Sequence, residues 1–181
     1  MLGDGNLRRS NENTLHTYFT FRQSIKNFSY YIFMRDIFQN LIRNNDHSYS
    51  YDDKRYGKTY KSNKFSTIGH VDFQYYYNLF YTDNASKIVP PNIADILTPI
   101  SLAIWLMDDG SYHNGGMRIS TQGFTIAEIQ LLQNALLTNW GLTTTIHSQK
   151  RLFISAKSYK TLKTLVVPHM ESTMMSKKFK S

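Results

Sequence analysis

The sequence predicts an α+β fold built from two copies of one unit. Three observations carry that expectation. Apolar periodicity runs helix, two strands, helix, two strands, helix, and then the same order again. An Asp-Gly pair stands at the same place in each copy, Asp4-Gly5 and Asp109-Gly110, 105 residues apart. Only two copies occur, so the pattern is a duplicated domain and not a solenoid.

Residues 1–5 form a stub, and 14–22 alternate apolar and polar as a strand does. Asn27 stands where a helix N-cap belongs. The helix over 28 to about 43 carries Tyr31, Met34, Ile37, Phe38, Leu41 and Ile42 at helical spacing. Residues 47–69 read as two strands with a turn at Gly57-Lys58, and 72–81 as a short aromatic helix. Residues 82–98, with Pro90-Pro91, form a connector between a first half, 1–81, and a second, 99–181. Thr98 is an N-cap and Pro99 a first-turn residue for an apolar helix over 100–109, which Gly110 stops. Strands around Tyr112 and over 117–122 flank the turn Asn114-Gly115-Gly116. Thr125 and Glu128 form a capping box for the helix through Ile129, Leu132 and Leu136, and Gly141 ends it in the left-handed conformation. A hairpin over 142–148 and 151–156, a helix over 158–167 and a basic tail over 174–180 complete the chain.

Composition narrows the chemistry. The 181 residues carry 21 Lys and Arg against 13 Asp and Glu, a formal charge of +8, which points to a polyanionic partner, nucleic acid before an acidic membrane surface. Hydrophobic residues at 41% suffice for a core and exclude wholesale disorder. No apolar run reaches the roughly 18 residues of a membrane span, and no secretory signal is expected at the start. The absence of cysteine excludes disulfides, Cys-zinc sites and thiol nucleophiles. No HExxH, GxSxG, Walker or GxGxxG pattern occurs. From Ser48 to Lys61 aromatic and polar residues alternate among cations, the content of a strand that meets phosphates and base edges.

Asp109 ends an apolar helix, where a carboxylate opposes the helix dipole at a cost of about 0.3–1 kcal/mol. A divalent cation compensates it, and hard oxygen donors suit Mg²⁺. Asp4 occupies the same place in the first copy, so two carboxylates are available to one cation site.

The segment Leu102-Ala103-Ile104-Trp105-Leu106-Met107-Asp108-Asp109-Gly110 resembles the LAGLIDADG motif of homing endonucleases. Residues 97–103 and 120–125 look like the second repeat of the organellar, two-motif branch. Met1-Leu2-Gly3-Asp4-Gly5-Asn6-Leu7 resembles the end of its first motif, and Phe21-Arg22-Gln23-Ser24 falls on its first-repeat strand. The resemblance implies two pseudo-symmetric αββαββα halves whose antiparallel sheets form a saddle for nucleic acid. It implies that Asp4 and Asp109 hold Mg²⁺, while Asp108 points about 100° away around the helix. Lys87 and Lys177 match basic positions near the scissile phosphates, and Gln23 and Gln122 match polar positions on strands around the metal-bound water. Arg8, Arg9, Arg22, Lys54, Arg55, Lys58, Lys61, Arg118, Lys150 and Arg151 are the expected nucleic-acid contacts. The implied function is site-specific hydrolysis of both strands of double-stranded DNA by a monomer, in a mitochondrion or another organelle. The Asn-, Lys-, Tyr-, Phe- and Ile-rich composition is typical of an A·T-rich genome, as organelles often have, and is a compositional bias rather than a functional signal. The alternative is a maturase or catalytically decayed relic that binds RNA or the mitochondrial ribosome. In the family pattern several apolar residues precede Leu2. Without them the second motif helix is expected to expose Leu102, Ile104 or Trp105, and the missing helix would come from a longer chain or another chain.

Overall fold

Phe19, Phe21 and Phe65 line one side of an antiparallel sheet, and this aromatic row organises the first of two compact units. The structure, a computed structural model, describes residues 1–9, 16–42, 47–53, 55 and 57–179. The units are Met1 with Gly3–Leu79, and Leu2 with Phe80–Ser181.

In the first unit, β1 (Asn6–Arg9), β2 (Thr17–Ser24), β3 (His47–Asp53) and β4 (Lys58–Ser66) pair antiparallel in the order β1-β2-β4-β3. Helices α1 (Phe28–Ile37) and α2 (Val71–Phe80) follow β2 and β4. Register assigns the faces. Phe21 pairs with Phe65 and Leu7 with Phe19, so these side chains share one face, and all four are buried. Tyr30 of α1 meets Phe21 edge to face at 5.6 Å, and Tyr31 meets Phe65 at 5.8 Å. The sequence missed β1, because a four-residue strand with Leu7 as its only buried side chain shows no alternation. The first helix is also shorter than its apolar spacing suggests. It ends at Ile37 and continues as a 3-10 turn over Gln39–Leu41. Asn27 sits at its N-cap, where its side chain makes no capping bond and its amide instead donates to Gln23 Oε1 at 3.2 Å.

The second unit opens with α3 (Ile93–Ile96), a helical turn inside the expected connector, packed on α5 (Ile126–Trp140). Helix α4 (Pro99–Asp109) starts as expected, with Thr98 Oγ1 accepting from the Ser101 amide and Ser101 Oγ accepting from the Thr98 amide. Strands β5 (Gly110–His113), β6 (Gly116–Ile119), β7 (Thr144–His147) and β8 (Arg151–Ile154) pair antiparallel in the order β5-β6-β8-β7. Asn114 and Gly115 turn the first hairpin with φ 44° and 81°, the two positive angles that a two-residue hairpin favours. Thr125 and Glu128 make the reciprocal capping box of α5. Gly141 closes that helix at φ 66°, with Leu142 N–H donating to Leu136 C=O.

Met117, Ile119, Leu152 and Ile154 are fully buried on one side of this sheet. The expected tail is instead α7 (Ser172–Lys178), capped by the Glu171 carboxylate, which accepts from the Thr173 and Met174 amides. Helices α6 (Tyr159–Val166) and α7 pack on α4. That packing corrects the expectation of an exposed motif helix. Leu102 and Trp105 are buried and Ile104 half-buried, while Ile100 is 43% exposed. No helix among the described residues is long and apolar enough to cross a membrane.

Candidate nucleic-acid interface and carboxylate positions

Each sheet has a helix side and an open side, and register decides which cations reach the open one. On β4, residues 58, 60, 62 and 64 alternate away from Phe65. Lys64 pairs with Arg22 and His47, Ser62 with Tyr49, and Tyr60 with Tyr51. The open face of the first unit therefore carries Arg8, Arg22, Lys58 and Lys64 among Tyr49, Tyr51 and Tyr60. The tyrosines are exposed. Arg22 Nε donates to Ser62 Oγ at 2.8 Å, and its guanidinium lies 4.8 Å from the Tyr49 ring centre.

Two expected contacts point elsewhere. Arg9 pairs with Thr17 on the helix side, stacks over Tyr77 of α2 at 4.1 Å and donates to Asn78 Oδ1. Lys61 has the opposite parity to Lys58 and pairs with Ser50. Arg55 is exposed in the β3–β4 turn, and Lys54 lies outside the described residues. Lys64 is the open-face cation that the sequence reading missed. Its one available signal was its even spacing from Lys58.

On the second sheet the residues alternating away from the buried row are Ser111, His113, Arg118, Thr145, His147, Arg151 and Phe153. His147 stacks on Phe153 at 4.6 Å, and His113 meets the same ring edge-on at 6.1 Å. Lys150 donates Nζ to Phe124 C=O at 2.8 Å. It also helps to set the charge of Glu128. Burial pushes that carboxyl up, but bonds from the Thr125 hydroxyl, the Thr125 amide and the Val89 amide, with the Lys150 charge, outweigh it and hold Glu128 below the ordinary carboxylate value.

Asp4 stands exposed just before β1, and Gln23 Nε2 donates to its Oδ2 at 3.3 Å. Two of the expected site residues thus meet within the first unit. Gln23 is itself held, because its Oε1 accepts from the Ser24 amide and from Asn27. Asp109 is the last residue of α4, half-buried, and its carbonyl accepts from Ser120 N–H at 3.1 Å. Lys178 of α7 donates to the carbonyls on either side, Asp108 C=O at 3.3 Å and Gly110 C=O at 2.8 Å, and so supplies a cation at this helix end. Lys177, its neighbour, is exposed, and Lys87 is half-buried in an antiparallel bridge with Tyr81.

Gln122 is not on a strand. It lies exposed in the turn after β6, which ends at Ile119. Counting three residues on from the paired positions Thr20 and Arg118 gives Gln23 in one unit and Thr121 in the other. Thr121 is buried, accepts from Leu152 N–H at 3.0 Å and donates to Lys150 C=O, so its hydroxyl is fully engaged.

Asp4 in the first unit and Asp109 in the second each offer the hard carboxylate oxygens that suit Mg²⁺, a cation that takes one or two carboxylates and completes its shell with water and substrate phosphate. Among the described residues no group of three or more His, Cys, Asp or Glu gathers to hold a metal through protein ligands alone.

The family model for the LAGLIDADG DNA endonuclease family matches residues 1–163. The chain belongs to that family. Among LAGLIDADG relatives, the cytochrome b mRNA maturase bI2 of Debaryomyces hansenii is 32% identical over 124 residues, 64% of this chain and 47% of that protein. The intron-encoded endonuclease ai4 of Dictyostelium discoideum is 30% identical over 125 residues, 66% of this chain and 79% of that protein. This chain spans about half the length of the maturases it matches. Solved structures share the fold. The homing endonuclease I-WcaI bound to its DNA recognition sequence superposes with a TM-score of 0.84 at 23% identity, over 99% of this chain and 82% of that one. I-DmoI in complex with DNA and Mn does so at 0.50 and 13%, over 91% and 90%.

Proposed function

We propose that this LAGLIDADG protein is a site-specific endonuclease that binds double-stranded DNA with the open faces of its two sheets and hydrolyses a phosphodiester on each strand. The observation that carries the reading is the repeated pairing of a cationic, aromatic sheet face with an Asp-Gly at the start of its first strand. Cations on such a face position the duplex through phosphates, and Arg, Tyr, His and Ser side chains between them read base edges. Asp4 and Asp109 supply the carboxylate oxygens for Mg²⁺. When bound, the cation activates a water and stabilises the leaving oxygen. Gln23 holds Asp4 by its Oδ2 and orients that carboxylate. Gln122 hydrogen-bonds water at the second carboxylate, and Lys87 and Lys177 stabilise charge on the phosphoryl oxygens. The working molecule is a monomer of two halves, 1–81 and 99–181, joined through 82–98, acting in a mitochondrion or another organelle.

The test is Asp109→Asn, assayed by plasmid cleavage with Mg²⁺ beside a duplex-binding control. Cleavage falls by about 10²-fold or more, as when a main electrostatic group is removed, while binding stays within a few-fold. Unchanged cleavage removes Asp109 from the chemistry.

A second reading, RNA binding in the manner of a maturase or of a relic on the organelle ribosome, has its own observation. From 129 to 170 the sequence holds no Asp or Glu, yet Lys150, Arg151, Lys157, Lys160 and Lys163 fall within it. Lys157, Lys160 and Lys163 lie on or beside α6, away from the strands.

A further inference from the structure

The end of α5 and the outer face of α6 border a shallow, open groove of about 420 Å³ lined by Trp140, Lys160, Thr161, Thr164 and Leu165. Leu137 lies one turn before Trp140 on α5 and is 53% exposed. Lys157 and Lys160 are exposed and make no ion pair or hydrogen bond among the described residues. One acid, Asp95, stands on α3 near this end of α5, where Asn139 donates to Ala94 C=O at 2.7 Å. The first unit supplies an internal control. Its helix at the same place in the element order, α2, carries Asp72, Tyr75 and Tyr76 and neither Lys nor Arg. The fold therefore does not require this charge.

We propose that the groove binds an unpaired segment of RNA, with a base stacked on Trp140 and the flanking phosphates on Lys157 and Lys160. The proposal rests on the second reading above and gives it a site separate from the sheet faces. A lysine-flanked groove whose lining residues include no acid complements a polyanion. A base stacks on the Trp140 indole only after leaving its duplex, which favours an unpaired strand over double-stranded DNA as the occupant. The Thr161 and Thr164 hydroxyls, each donor and acceptor, match base edges and the 2′-hydroxyl that distinguishes RNA.

The experiment is fluorescence anisotropy of the full chain with an unstructured 12-nucleotide RNA, a DNA strand of the same sequence and a duplex DNA. The variants are Trp140→Ala, Trp140→Phe and the double variant Lys157→Gln/Lys160→Gln. Trp140→Ala weakens RNA binding by about tenfold, the loss of one base–aromatic stack, and Trp140→Phe recovers most of it. The double variant lowers the salt slope for RNA by about 1.4, at roughly 0.7 for each phosphate that is no longer neutralised. Duplex binding is unchanged in all three. RNA also quenches the Trp140 emission, which is separable because Trp105 is 2% exposed. Variants that bind RNA as the wild type does, or a wild type that does not bind it, overturn the proposal and leave the groove to a protein partner. Equal losses on RNA and single-stranded DNA overturn the assignment to RNA. Parallel losses on duplex overturn the separation from the sheet face. None of these readouts uses cleavage, so the endonuclease reading stands or falls independently through Asp109.

Discussion

The two units share one sheet order but fill it with different chemistry. The core of the first is aromatic: Phe19, Phe21, Phe65, Tyr30 and Tyr31 are buried, and Phe19 stacks on Phe38 at 4.4 Å. The second buries Leu102, Leu106, Met117, Ile119, Leu132, Leu136, Leu152 and Ile154 instead. In β2, Phe19 and Phe21 alternate with Thr20 and Arg22, and in β6, Met117 and Ile119 flank Arg118, and that period fixes the inward face. The exposed large side chains differ as well. Among the described residues the exposed large hydrophobics are Ile25, Phe28, Ile37, Tyr49, Tyr51, Tyr60, Val71, Tyr75 and Tyr76 in the first unit and Ile100, Ile126 and Leu137 in the second. Period and burial set the fold. Residue identity is then free to diverge at Gln23 and Thr121, which occupy corresponding register positions with different tasks.

The largest effect that sharpens this comparison is at the two Asp-Gly glycines. A Cβ at Gly110 would lie 2.6 Å from Leu106 C=O, a main-chain atom that cannot turn aside. A Cβ at Gly5 would meet Phe19 Cε2 at 2.7 Å, a ring that can tilt. Gly110→Ala therefore destabilises by about 3 kcal/mol and Gly5→Ala by about 1 kcal/mol, read from denaturant midpoints. Equal losses would show that the junction of α4 and β5 relaxes as easily as a side chain.

Next come the buried threonines that tie neighbouring strands. Thr67 Oγ1 accepts from Phe19 N–H at 3.0 Å and donates to Ile68 C=O at 2.8 Å, much as Thr121 bridges Leu152 and Lys150. Thr67→Val and Thr121→Val each leave an amide and a carbonyl unpaired, a loss of about 1–3 kcal/mol. Gln23→Leu, at a half-exposed position, stays within about 0.5 kcal/mol in stability but lowers cleavage. A Thr121→Val protein as stable as the wild type would break the assignment of a structural role to that position.

The smallest effect depends on pH and belongs to the second unit. Glu128 is held low by its bonds to Thr125 and Val89. At Glu171 burial pushes the carboxyl up, and bonds from the Thr173 hydroxyl, the Thr173 and Met174 amides and the Ser172 hydroxyl outweigh it. A carboxyl lowered in the folded state stabilises fully above its ordinary pKa, and that stability is lost as pH falls through the folded value. Thermal melts of wild type and Glu128→Gln should therefore differ at neutral pH and converge in acid below the ordinary carboxylate value. A gap that stays constant into acid would mean that ionisation of Glu128 contributes nothing, and the absence of a gap at neutral pH would mean that Gln keeps the same bonds.

The Asp-Gly repeat, the caps at Thr98 and Thr125, the left-handed Gly141 and the Asn114-Gly115 turn were all legible in the sequence. Each depends on one to four neighbouring residues whose backbone chemistry is local. The open-face assignment was not. Arg8 and Arg9 are adjacent, and only the pairing of Leu7 with Phe19 turns one outward and the other onto Tyr77. Lys61 and Lys64 differ in the same way. That Gln122 falls in a turn while Thr121 holds the register position matching Gln23 was not countable either, because the pairing of β5 with β6 is not written in composition. The tail became α7 because Lys178 and Phe179 find carbonyls and a buried site far away in sequence. Local propensity and period come from the chain itself. Register comes from burying distant apolar rows together, and a slip of one residue would turn every side chain to the opposite face.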